Sequence, residues 1–131
     1  MINKKYEMVL NDVIEMKKCK LKRIRAIQDF GNIKAGDLGG YIEHLGNLNF
    51  TGNCWIYDNA KVYGKASIRG DAKIKQNASV YGRAIVAGKA IVMDNARIYD
   101  DSVVDNNVII DKNVRVSGAS KVLENVTLTD D

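Results

Sequence analysis

The side chains in this chain that could do chemistry are few. His44 is the one histidine, and so the one group whose ordinary pKa suits a general base near neutral pH. No Ser or Cys nucleophile stands at a spacing that supports it, which makes it a weak catalytic candidate. Cys19 and Cys54 are too few for a disulfide framework. Cys54 reads as a packing residue, and Cys19 as an ordinary strand residue, the alternative being a thiol whose pKa its lysine neighbours lower. There is no Cys-x-x-Cys pair, no second histidine and no calcium-type nonapeptide repeat, so no metal or cofactor is expected. Glycines punctuate residues 29–43, but neither a Gly-x-Gly-x-x-Gly turn nor a lysine followed by Ser or Thr completes a phosphate loop there. That stretch is read as a connector.

Two groups of residues suit recognition better than catalysis. Lys17, Lys18, Lys20, Lys22, Arg23 and Arg25 put six bases into nine residues. This is the pattern of a strand with a wet basic face, and a candidate contact for anions or nucleic acid. Residues 1–48 hold nine bases and six acids, residues 49–131 eleven and ten, so the net charge of +4 is mostly N-terminal. Such a charge permits an anionic partner without requiring one. The second group is Tyr63, Tyr81 and Tyr99 with Lys61, Arg97 and Arg115, and its meaning depends on the repeats that carry it.

Residues 49–126 form thirteen consecutive six-residue units without insertion. The second position is always apolar (Ile56, Val62, Ile68, Ile74) and the sixth small or β-branched (Ala60, Ala66, Ala72, Ala78). Sixth and following second positions are two apart and share a strand face, while the Asp, Gly and Asn between them form turns. Each unit is therefore a short strand and a corner. Asn59, Asn77, Asn95 and Asn113 recur every eighteen residues, with Asp131 continuing the series, and the three tyrosines have the same spacing. Three units thus make one coil, and asparagine, tolerant of left-handed backbone, is expected at a stacked corner.

Reading the outward positions coil by coil assigns them to three walls. Lys61, Arg97 and Arg115 share one wall with Tyr63, Tyr81 and Tyr99, the composition of a recognition face; stacked tyrosines also simply stabilise neighbouring coils. A second wall carries Ile85, Val103 and Leu123, a third Ile91, Met93 and Ile109. Apolar residues aligned on an outer face mark an interface, either between copies of the chain in a dimer or trimer or with the N-terminal segment. That segment reads as two short strands, residues 6–10 and 13–16, turning at Asn11 and Asp12, which cap the first coil. No stretch has the apolar length of a membrane span, the first residues lack a signal-peptide core, and a reduced cytoplasmic protein is expected.

The small-x-aliphatic pattern of Ala66-Ser67-Ile68 and Ala84-Ile85-Val86 resembles the hexapeptide-repeat family of left-handed parallel β-helices. Further motifs (Arg23-Ile24-Arg25-Ala26, Asp29-Phe30-Gly31, residues 36–43 and Gly52-Asn53-Cys54-Trp55) resemble YdcK-type hexapeptide-repeat proteins of bacteria, phages and prophages. The likeness spans about residues 20–126 and fades over the lysine-laden residues 11–20. It implies an all-β, single-stranded left-handed parallel β-helix of about four coils on residues 49–131, with a small N-terminal β-hairpin cap on residues 1–48. It also implies a phage- or prophage-borne setting. The expected function is a non-catalytic interaction module, with a protein partner such as a host-defence or nucleic-acid-processing protein. Many hexapeptide β-helices are acyltransferases that act as trimers, with a histidine base and a loop excursion for the acyl donor. That alternative rests here on His44 alone, because no excursion interrupts residues 49–126. A purely structural homo-oligomer is the third reading.

Overall fold

The computed structural model describes residues 4–124 and 126–129. Met1 to Asn3 lie outside the described residues, as does Asp131, expected to continue the asparagine series.

Each repeat folds as a two-residue strand and a corner, from Trp55–Ile56 to Thr127–Leu128. Strands eighteen residues apart pair in parallel, in register. One wall runs through Lys61–Val62, Ser79–Val80, Arg97–Ile98 and Arg115–Val116; a second starts at Ser67–Ile68 and a third at Trp55–Ile56. Second-position residues from Ile56 to Ile110 are buried, as are the small residues beside them. The column they build is the core. A left-handed residue follows each strand from Trp55–Ile56 to Arg115–Val116 and keeps it short. Asp58, Gln76, Asp94 and Lys112 have φ between 53° and 59°, and glycines such as Gly64 and Gly82 serve other corners.

The asparagine expectation is corrected here by one position. The left-handed residue is the one before each asparagine, and it also carries the polar ladder. The Asp58 carboxylate accepts from the Gln76 backbone N–H at 2.9 Å. The Gln76 amide oxygen accepts from Asp94 N–H at 2.8 Å, and the Asp94 carboxylate from Lys112 N–H at 2.9 Å. A left-handed bend leaves its own N–H facing the coil above, where a side-chain oxygen meets it.

The N-terminal segment extends the tyrosine wall. Strand β3 (Leu38–Ile42) lies parallel to Lys61–Val62, strand β2 (Lys20–Ala26) antiparallel to β3, and strand β1 (Tyr6–Glu15) antiparallel to β2. The turn expected at Asn11 and Asp12 is absent: both lie inside β1 at a bulge between Val9 and Val13, and the hairpin turns where Met16 N–H meets the Cys19 carbonyl at 2.9 Å. The bulge brings Asp12 within reach of Arg23, so tertiary bonding overrides a local turn preference. Glycine is required where β3 crosses the first coil. A Cβ on Gly39 would lie 2.6 Å from the Ile56 carbonyl oxygen and 2.7 Å from the Trp55 ring.

Between β3 and the first repeat, a short 3-10 helix, Leu45–Asn47, replaces one strand. Buried Asn47 satisfies the backbone around it. Its amide nitrogen donates to the Gly64 and Ala66 carbonyls, and its oxygen accepts from the Glu43 and His44 N–H groups. Leu48 then bridges to Ile68. With β3 and Leu48 counted as an incomplete coil, the four three-strand coils and the final strand make about five turns.

Candidate functional site

Because strands eighteen residues apart are in register, outward side chains on one wall fall into straight columns. Tyr63, Tyr81 and Tyr99 form one, with ring centroids 5.0 and 5.1 Å apart and planes within 4° of parallel. That spacing is close to the strand separation of a sheet, about 4.8 Å. Both faces of the Tyr81 ring are thereby covered. The column ends below Tyr99 at Ser117, one strand further down. The rings are half-buried, and burial first, then the neighbouring Tyr81, pushes the Tyr63 phenol above its ordinary pKa.

The adjoining column runs Tyr41, Lys61, Ser79, Arg97, Arg115. Arg97 and Arg115 are exposed and directly opposite each other. Neither makes an ion pair among the described residues. Lys61 donates weakly to the Asn59 carbonyl at 3.4 Å. All six residues singled out from the sequence for partner binding therefore lie on one face.

The basic run is divided. Lys17 and Lys18 are exposed on the β1–β2 turn, and Lys22 is half-buried on β2. Lys20 pairs with Glu15 at 3.6 Å and Arg25 with Glu7 at 2.6 Å. Arg23 is an internal hub. It bonds the Asp12 carboxylate at 2.7 Å, the Gly39 carbonyl at 2.6 Å and the Tyr41 hydroxyl at 2.7 Å, with its guanidinium 4.3 Å from the Tyr41 ring centre. Bonds from Arg23 and then Tyr41 hold the Asp12 carboxyl below the usual carboxylate range. The lysines do not depress Cys19: burial, then the Glu43 charge, raises its pKa.

His44 caps the 3-10 helix. Its Nδ1 accepts from Gly46 N–H at 3.1 Å, and Nε2 lies 2.7 Å from the Gly64 carbonyl, a pairing that requires the proton on Nε2. A depression of about 400 Å³ lined by Leu45, Gly46, Phe50 and Arg69 adjoins it, but His44 does not line that hollow.

The outward apolar residues stack as expected from their spacing. Ile85 lies opposite Val103, and Ile91 opposite Ile109. With Met93 these are half-buried, and Leu123 is 42% exposed. The N-terminal segment covers only the head of the third wall, where Phe30 and Tyr6 pack edge-on against buried Trp55. Sequence reasoning missed two features. The Asp12–Arg23–Tyr41 network joins residues far apart in the chain, and Lys5 is buried within the first coil. Neither leaves a periodic signal.

A search against protein-family models finds no match. The chain is 49% identical over 49 residues to YdcK of Escherichia coli strain K12, described as an uncharacterized acetyltransferase. The match covers 37% of this chain and 15% of that relative's length. The likeness fits a hexapeptide-repeat β-solenoid, the fold described above. Among the described residues no helix is long and apolar enough to cross a membrane.

Proposed function

We propose that this hexapeptide-repeat solenoid is a non-catalytic interaction module, phage- or prophage-borne. It binds a macromolecular partner through the wall of Tyr63, Tyr81 and Tyr99 with Lys61, Arg97 and Arg115. The observation that carries the reading is the Arg97–Arg115 column. Like charges opposite each other on adjacent strands are destabilising, and among the described residues no acid pairs with either. A carboxylate-bearing partner would supply the missing countercharge, and aromatic-plus-arginine surfaces concentrate binding energy. The ring stacking favours a protein over a single-stranded nucleic acid, because base stacking needs free ring faces and the ladder's are mostly occupied. An acidic face on a host-defence or nucleic-acid-processing protein is the target this chemistry fits best. The unpaired cysteines suit action in the reducing cytoplasm.

The test is affinity capture with tagged wild type, a Tyr63→Ala/Tyr81→Ala/Tyr99→Ala variant and an Arg97→Glu/Arg115→Glu variant. Partner capture is expected from wild type alone, with β-rich circular dichroism kept by all three. Capture by both variants would remove the assignment to this wall.

Two observations favour other readings. The relative described as an acetyltransferase favours an acyl-transfer role, which predicts a thermal shift with acetyl-CoA that His44→Ala removes. The apolar rows of Ile85, Val103, Ile91 and Ile109 favour self-association as a dimer or trimer, read directly by light scattering.

A further inference from the structure

Lys5 Nζ lies 3.4 Å from Cys54 Sγ, and the two residues are 1% and 0% exposed. Packing does not require sulfur there, since the same slot holds alanine in the next seven units, Ala60 to Ala96. Nor does the core require a lysine, whose burial without a paired carboxylate is costly. The Lys5 amine is held by the Cys54 carbonyl at 2.9 Å and the Gly52 carbonyl at 3.1 Å, with the Phe30 ring centre 4.7 Å away. Its own backbone is pinned by the Ile27 N–H at 2.9 Å. A nucleophilic nitrogen is thus fixed in contact with an oxidisable sulfur.

We propose that Lys5 and Cys54 are a covalent cross-linking site that closes under peroxide. One hydrogen peroxide oxidises the thiol by two electrons to a sulfenic acid and is itself reduced to water. The lone pair of the neutral Lys5 amine then attacks the sulfur. The S–O bond breaks, the leaving hydroxide takes a proton from nitrogen as a second water, and a sulfenamide S–N bond remains. Desolvation moves the Lys5 pKa down, toward the neutral amine; burial moves the Cys54 thiol up, and the adjacent Lys5 charge acts against that rise. Local opening of the cap admits the small oxidant. The link spans 49 residues of sequence and ties the entry to β1 to the core slot beside the strand Trp55–Ile56. Cross-linking over such a loop restricts the unfolded chain, so the oxidised form holds its cap through heating that frees the reduced form's.

The full-length chain carrying Cys19→Ser, which removes the competing thiol, is treated with hydrogen peroxide while folded. It is then digested without reductant and read by mass spectrometry. The expected product joins the Lys5 and Cys54 peptides, two hydrogens lighter than their sum. Dithiothreitol should reverse it, and the oxidised protein should melt at higher temperature. Lys5→Arg and Cys54→Ala should each abolish the joined product; the second keeps the slot filled as its neighbours are. Separate Lys5 and Cys54 peptides after peroxide, whatever the oxidation state of Cys54, would overturn the proposal. So would a link that forms only in urea.

Discussion

Arg97 and Arg115 stand opposite each other on neighbouring parallel strands, two exposed guanidiniums one coil apart, and among the described residues no acid pairs with either. The wall thus keeps a small electrostatic strain at its C-terminal end. Arg83 shows the ordinary alternative, since it meets Asp101 at 2.8 Å on the adjoining coil.

Converting that pair to opposite charges should stabilise the fold while impairing binding. Arg115→Glu places a carboxylate opposite Arg97 and is expected to add roughly 0.2–1 kcal/mol, the range for cross-strand pairs. Urea unfolding measures it. A destabilised variant would mean that Arg115 has a structural role.

Tyr81 contacts a ring on each face, Tyr99 on only one. Aromatic pairs contribute about 0.5–1.5 kcal/mol each beyond burial, so Tyr81→Ala should destabilise more than Tyr99→Ala by about one such increment. A Tyr63/Tyr99 double-mutant cycle should show a smaller coupling than the Tyr63/Tyr81 cycle, since those two rings meet only through Tyr81. Thermal melts of the set decide it.

Asn47 makes four hydrogen bonds from a buried site. Asn47→Ala strands backbone groups that cost about 1–3 kcal/mol apiece when buried and unpaired, and should lower stability by at least about 2 kcal/mol. Asn47→Asp keeps the acceptor for Glu43 and His44 but turns an anion toward the Gly64 and Ala66 carbonyls. It should be no better tolerated. Equilibrium denaturation is the readout.

Acid should loosen the cap. The folded-state pKa of Asp12 is depressed by its bonds from Arg23 and Tyr41. Its contribution is therefore complete above the ordinary Asp value, about 3.9, and is lost as pH falls through the lower folded value. Thermal melts from neutral pH down to about 3 should show a decline that Asp12→Asn lacks, because that variant has no carboxylate to protonate. A parallel decline in both would assign acid sensitivity to other groups.

The repeat, the three walls and the membership of each were legible in the sequence, because a strict eighteen-residue period makes each contact a copy of the last. Facing direction follows from strand alternation, and register from the constant unit length; neither needs long-range information. The sequence alone therefore placed Tyr63, Tyr81 and Tyr99 together and buried the second-slot aliphatics. What it could not decide were contacts without a period. The β1–β2 turn moved because Asp12 finds Arg23 and Tyr41 across the sheet, and Gly39 and Gly40 matter only where β3 passes over Ile56 and Ala60. The left-handed corner fell one residue before each asparagine because the chain bends where a side-chain oxygen from the neighbouring coil meets the exposed N–H. Lys5 entered the core, and His44 became a helix cap, for the same reason. Each fills a particular gap in three dimensions that only the folded neighbours define.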